Sequence, residues 1–256
     1  MSLFRKLRHL RNALFSGNPQ TKYLSRYFVV EAFARKFDVR IHNPYLTWYD
    51  DDQVLNDFRR IAPKADHIPP SKFTLYSMIQ SVGNLPGDTA ECGVFTGESS
   101  YLICYANRNR KDYRHHCFDS FEGLSEPDRK DEPKDPHATF WKKGDLLKDL
   151  TLVREHLEEF EFVRYYKGWI PERFGEVADC KFSFVHIDVD LFQPTRDSLE
   201  FFYERMVPGG ILLCDDYGFS TCPGATRAFN NFIVDKPEHK VIHLTTGQGF
   251  IVKRST

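Results

Sequence analysis

The stretch KFSFVHIDVDLFQPT, residues 181–195, decides the fold. Phe182 to Asp188 is a short apolar run, the pattern of a parallel strand buried on both faces. Its tip carries Asp188 and Asp190. Pro194 then opens a helix whose apolar face is Leu199, Phe202, Tyr203 and Met206. Pro208-Gly209-Gly210 stops that helix, and Ile211 to Cys214 is a second buried strand. Strand, helix, strand in this order is one crossover unit of a parallel sheet.

The same alternation continues outward. On the N-terminal side, Asp88 to Val94 reads as a strand, and Ser99, Leu102, Ile103 and Ala106 mark a helix. His115 to Phe121 is a strand, Asp145 to Phe160 a helix and Phe162 to Lys167 a strand. On the C-terminal side, Ala225, Ala228, Phe229, Phe232 and Ile233 form a helix face. Lys240 to Leu244 and Phe250 to Lys253 are strands joined through Gly247. That joint is too tight for a crossover, so the last pair is antiparallel. The expected fold class is α/β: a doubly wound, mostly parallel seven-stranded sheet with an antiparallel last strand, spanning residues 71–256. Gly123 to Thr139 is charged and proline-rich and is expected to be a long loop, either a lid over a binding site or plain solvated surface. Residues 1–70 form a helical N-terminal extension that ends at Pro69-Pro70-Ser71. The helix that follows has Leu75, Ile79 and Val82 on one face.

Composition narrows the function classes. A net charge of -1 gives no global field to hold nucleic acid. No run of about 18 apolar residues is present, so stable membrane insertion is not expected. The six cysteines are scattered without a CxxC pair. They read as reduced thiols of a cytoplasmic protein, with neither a zinc site nor a disulfide framework. Leu3, Leu7, Leu10 and Leu14 recur at helical spacing with Arg5, Lys6, Arg8 and Arg11 between them. Such a basic amphipathic helix can lie on a membrane; the expectation is that it packs on its own domain or on a second subunit, making a homo-oligomer plausible.

Three sites carry chemistry. Glu91-Cys-Gly93-Val-Phe-Thr-Gly97-Glu-Ser99-Ser100 follows the first strand. Its glycines let the backbone approach a ligand. The spacing ExGxxxG is not the GxGxxG of a dinucleotide site, and it suits the methionine end of S-adenosylmethionine. A purely structural turn is the alternative. Asp119, in FDSFEGL, stands at a strand tip where a ribose diol could sit, or is a solvated acid or helix cap. Asp145, after Gly144, either accepts from an adenine amino group or caps the following helix. The third site is sharper. Asp188 and Asp190 end one buried strand, and Asp215 and Asp216 end its neighbour. Four carboxylates at adjacent tips repel one another unless a divalent cation lies among them, and an all-oxygen set favours Mg²⁺. His186, one step inside the tip, reads as a buried, hydrogen-bonded imidazole rather than a base.

Together ECGVFTGESS, FDSFEGL, KGDL, YYKGWIPE, HIDVDLFQPT, PGGILLCDDYG and PGATRAF resemble the macrocin and novobiocin (TylF-like) O-methyltransferase family over about residues 85–254. The resemblance implies a Rossmann-like class I methyltransferase using S-adenosylmethionine and Mg²⁺ on a sugar hydroxyl. The acceptor would be a glycoside or nucleotide sugar. It implies Asp188, Asp215 and Asp216 as metal ligands and Asp190 as general base. Glu91, Gly93, Ser99, Asp119, Ser120, Asp145 and Asp188 would line the cofactor. It also implies lid and dimer contacts from the first 70 residues, where no motif aligns. Three alternatives stay open. One is a catechol or phenylpropanoid O-methyltransferase. The others are a nicotinamide-dependent dehydrogenase and a non-catalytic binding platform.

Overall fold

The computed structural model describes residues 3–37, 39, 56–63, 68–133, 140–238 and 240–255. Its strands are β1 (Asp88–Cys92), β2 (His115–Asp119), β3 (Val163–Lys167), β4 (Phe182–Ile187), β5 (Met206–Cys214), β6 (Ile242–His243) and β7 (Gly249–Val252). They form one sheet in the order β3-β2-β1-β4-β5-β7-β6. β1 through β5 run parallel, and β7 lies antiparallel between β5 and β6. β4 is buried at all six positions because helices cover both faces of the sheet centre.

The helices are α1 (Leu3–Phe15), α2 (Pro19–Ala34), α3 (Pro70–Ser81), α4 (Glu98–Asn107), α5 (Leu150–His156), α6 (Phe192–Tyr203) and α7 (Pro223–Ile233). Leu75 and Ile79 of α3, Leu102 and Ile103 of α4 and Val153 of α5 pack with Phe184 and Leu213 on one sheet face. Leu199 and Phe202 of α6 and Phe229 of α7 pack with Phe182, Val185 and Leu212 on the other. Aromatic rings fill both layers; in the second, the Phe118 ring lies 4.4 Å from Tyr166, 5.1 Å from Phe174 and 5.8 Å from Phe202.

Three local expectations need correction. The helix expected over 145–160 is α5, Leu150–His156, because Asp149 caps it by accepting from Thr151 N. Asp145 is therefore not that helix's cap. Gly144 and Leu146 both have positive φ, 83° and 65°, which breaks a right-handed helix there. Met206 is not on a helix: α6 ends at Tyr203, and Met206 opens β5, which runs through Pro208-Gly209-Gly210 with a register shift against β4. The strand expected over 240–244 shrinks to Ile242–His243.

The long segment after β2 is irregular over residues 123–133, and residues 134–139 lie outside the described residues. Its described part is anchored. Asp131 is 7% exposed; one oxygen accepts from Phe192 N at the start of α6 and the other from Asp128 N. An anionic acceptor at a helix N-terminus is favoured by both hydrogen bond and dipole.

The chain divides into two compact units, Met1–Asp51 and Asp52–Thr256. The described residues of the first form a helical hairpin of α1 and α2. Asn18 caps α2 through Thr21 N at 2.9 Å, and Pro19 holds its first turn. The His9 ring lies 4.8 Å from Phe28, Ala13 is buried, and Arg26 Nε donates to Ala13 O.

Candidate active site

Two parallel strand tips fix the site. Gly93, after β1, has φ +82°, and a Cβ there would stand 1.9 Å from Asp188 O. Only glycine fits a backbone approach that close. Gly93 N donates to Phe118 O, and Asp188 N to Cys92 O, so the tips of β1, β2 and β4 are laced together. Gly97, also left-handed, starts α4.

Asp119 organises this turn: Oδ2 accepts from Val94 N and Phe95 N, and Oδ1 from Phe121 N. Ser120 Oγ donates to Gly123 O and accepts from Glu122 N. Asp145 accepts from Lys142 N, within a turn whose Gly144 and Asp145 backbones press against Gly123. Glu91 is 1% exposed: its carboxylate accepts from Ser100 Oγ and pairs with His186 Nδ1 at 2.8 Å. A cavity of about 290 Å³ runs from Gly93, Asp119 and Ser120 to Asp188 and Asp190, with Leu146 and Trp169 also in its lining.

The four aspartates divide into two clusters. Asp188 and Asp215 meet with His186, and Asp190 and Asp216 meet with Cys222. Asp190 N donates to Asp216 Oδ2 at 2.9 Å, and Cys222 Sγ donates to Asp190 Oδ1 at 3.3 Å. Among the described residues nothing donates to Asp190 Oδ2, although Asp190 lines the cavity. Its backbone is left-handed, φ +58°.

His186 is fully buried and bridges Glu91 to Asp215 Oδ1, 3.3 Å away. This is the hydrogen-bonded imidazole that its place inside the strand implies. Burial works against its charge, but the hydrogen bonds it donates to Asp215 and Glu91 raise its pKa to about 10. Burial would raise Asp215 as well; its hydrogen bond and charge from His186, with Lys72 and Gln248, hold it below the carboxylate range. The other acids go the opposite way. Burial first, then Asp215 and Asp216, pushes Asp188 well up. Burial and Asp188 raise Asp190 to about 7, and burial with Asp190 and Asp215 pushes Asp216 well up. Two cationic side chains, Lys72 and His186, thus face five acids: Glu91, Asp188, Asp190, Asp215 and Asp216. A buried, carboxylate-rich set short of positive charge, with His186 and Cys222 at its margins, fits a hard divalent cation.

Two participants carry no local signal in the sequence. Lys72, in the first turn of α3, donates through Nζ to Ser99 Oγ. Burial lowers its proton affinity, and the charges of Asp188, Asp215, Glu91 and Glu98 more than restore it. Gln248, fully buried beside β7, donates to Asp215 Oδ1 at 2.8 Å and to Ser71 O at 3.3 Å.

Behind the site, His115 hydrogen-bonds Thr89 Oγ1 and Ser100 Oγ, and burial, with His116 and His186, holds it at about 3. Unfolded, it titrates near 6.5, so between 6.5 and about 3 the unfolded chain binds the extra proton. Stability is therefore lost as pH falls through that window, by up to about 1.4 kcal/mol per pH unit. His186, raised in the folded chain, works in the opposite sense near pH 6.5 and contributes little slope well below it; comparing His115→Gln with the parent cancels this term. Urea melts at pH 7 and pH 5 should show a smaller acid loss for His115→Gln than for the parent. Equal losses would mean His115 does not stay neutral.

Comparisons with known proteins give the family and the fold. A family model described as macrocin-O-methyltransferase (TylF) matches residues 75–243. The 8-demethyl-8-(2,3-dimethoxy-alpha-L-rhamnosyl)-tetracenomycin-C 4'-O-methyltransferase of Streptomyces olivaceus is 29% identical over 152 residues, 57% of this chain and 58% of that protein. The mycinamicin III 3''-O-methyltransferase of Micromonospora griseorubida is 26% identical over 159 residues, 57% of this chain and 61% of that one. The chain thus spans 58% and 61% of the length of these relatives. Among solved structures, the calicheamicin methyltransferase CalS11 superposes with TM-score 0.63 at 16% identity, covering 94% of this chain and 95% of its own. The O-methyltransferase NovP gives 0.58 at 23%, covering 72% and 79%. The fold is the Rossmann-like fold of class I O-methyltransferases.

Proposed function

The chain belongs to the macrocin O-methyltransferase family, and from that membership we propose that it transfers a methyl group from S-adenosylmethionine to a hydroxyl of a sugar or glycosylated small molecule, with Mg²⁺ at the acid cluster. The observation that carries this reading is the single cavity joining the Gly93–Asp119–Ser120 wall to Asp188 and Asp190. The Streptomyces olivaceus relative acts on a rhamnosyl-bearing tetracenomycin, which supports a glycoside acceptor.

Asp188, Asp215 and Asp216 would hold the cation, which when bound supplies Lewis acidity toward an acceptor hydroxyl. The donor supplies an electrophilic methyl on a sulfonium. Asp119 and Ser120 border the cofactor end of the cavity and Gly93 gives the backbone approach, while Ser99 and Glu91, buried behind the lining, would act on the methionine end through Lys72 and His186. Asp145 supports this wall through the turn against Gly123. Asp190 accepts the acceptor's proton through its free oxygen. Lys72 is already matched by Asp188, Asp215 and Glu91, so it offsets the charge of those acids and fixes Ser99 behind the donor's amino-acid end.

Purified protein given S-adenosylmethionine and deoxysugar glycosides should add one methyl mass to a glycoside, and a chelator should abolish the gain. No binding of S-adenosylmethionine by calorimetry would overturn the function. Undiminished transfer in chelator would remove the metal alone. Lys72→Gln should weaken S-adenosylmethionine binding by about 10- to 100-fold, raising KM more than it lowers kcat. An unchanged Kd would release Lys72 from this role.

A further inference from the structure

The charge of the chain is unevenly placed. Residues 3–37 carry Arg5, Lys6, Arg8, Arg11, Lys22, Arg26, Arg35 and Lys36 against a single acid, Glu31. That acid is already paired with Arg35 at 2.9 Å. The segment is therefore net +7, and with the whole chain at -1 the remainder carries -8. The bland overall charge hides a basic hairpin on an acidic protein.

The hairpin is also amphipathic in a particular way. α1 meets α2 through His9 and Ala13. At about 100° per residue, Leu7, Leu10 and Leu14 project about 110° round the helix from that contact. They are 56%, 47% and 58% exposed, and the adjoining Phe15 is 79% exposed. Arg8 and Arg11 lie exposed on the far side of the leucine stripe from the α2 contact. On α2, Val30 and Phe33 add further exposed apolar surface, 57% and 64%. A water-facing row of leucines bordered by arginines is costly in isolation and stable at a surface that is apolar beneath and anionic above.

We infer that this hairpin seats on a bilayer containing anionic lipid, with the Leu7–Leu10–Leu14 stripe at the boundary of headgroups and acyl chains and the basic residues among the lipid phosphates. Charge complementarity selects this occupant. A second hairpin would bring +7 against +7. Nucleic acid would answer the arginines and leave the leucines in water. Among the described residues no helix is long and apolar enough to cross a membrane, so the attachment is peripheral. The inference is independent of the methyl-transfer reading, and its test does not use that activity.

The full chain is sedimented with phosphatidylcholine vesicles, alone or with a minor fraction of phosphatidylglycerol, over a range of salt. The expected result is co-sedimentation with the anionic vesicles only, weakening as salt rises. Leu10→Asp/Leu14→Asp should lower the vesicle-bound to free ratio by about tenfold or more, as should Arg8→Glu/Arg11→Glu. Arg8→Lys/Arg11→Lys should retain binding, because charge rather than guanidinium geometry is at work. These side chains are exposed, so the fold does not depend on them, and unchanged circular dichroism checks this. Equal binding to neutral vesicles, or no binding to either, overturns the inference. So does an oligomer, seen by light scattering, that falls apart with Leu10→Asp/Leu14→Asp, since a second copy would then cover the stripe.

Discussion

Asp190→Asn is expected to lose about 10²- to 10⁴-fold in kcat while binding S-adenosylmethionine with unchanged affinity. Asparagine is the informative replacement for two reasons. It tolerates the left-handed backbone at φ +58°, where most residues are strained. It also keeps the shape of the carboxylate, so the Cys222 contact and the backbone bond to Asp216 survive. What it lacks is the ability to take a proton. Calorimetry on the variant separates a chemical defect from a binding defect, and single-turnover kinetics place the loss in the methyl-transfer step. A variant with full activity would show that another group accepts the proton. A variant that no longer binds the donor would instead make Asp190 part of the cofactor wall.

The second large effect is expected from Gly93→Ala. The added methyl would stand 1.9 Å from Asp188 O and 3.1 Å from Val189 Cγ1, on a residue whose φ is +82°. No rotamer relieves this, because a Cβ has none. The tips of β1 and β4 must part, which breaks the bond from Asp188 N to Cys92 O and shifts Asp188 out of its cluster. Overpacking and backbone strain together should cost about 3–5 kcal/mol, with loss of donor binding. Gly144→Ala is the control. It too has positive φ, but its Cβ would meet no atom within 4 Å. It should cost only about 1–2 kcal/mol, the strain term alone. Chemical denaturation of the two variants side by side reads the difference. Equal losses would mean that steric contact at the strand tips contributes nothing.

Much of the fold was legible because hydrophobic pattern and strand tips are local. The apolar run at Phe182–Ile187 and the glycine turn at residues 93–97 announce themselves within a few residues. The helix expected from Asp145 was misplaced for a tertiary reason. Leu124 N bonds to Asp145 O and Gly144 N to Leu124 O, so contact with a distant segment holds residues 143–146 in a turn and delays the helix until Asp149. The acids were visible as pairs along the chain, yet space groups them across strands, Asp188 with Asp215 and Asp190 with Asp216. Lys72 was invisible, since nothing near it in sequence hints at a carboxylate cluster, and its partner Ser99 is 27 positions away. Gln248 sits further off still, 33 positions beyond Asp215. Family membership removes the nicotinamide alternative; the choice of acceptor rests on side chains around a cavity and not on the pattern that makes the sheet.

The placement of β7 has a consequence for biosynthesis. A ribosome makes Asp215 before it makes Gln248, and β7 slots between β5 and β6 only after its residues have emerged. Until then the nascent protein holds a half-built acid centre with one sheet edge open. Pulse-labelled chains arrested before residue 248 should therefore be protease-sensitive at β5, and the centre is complete only once that residue has emerged.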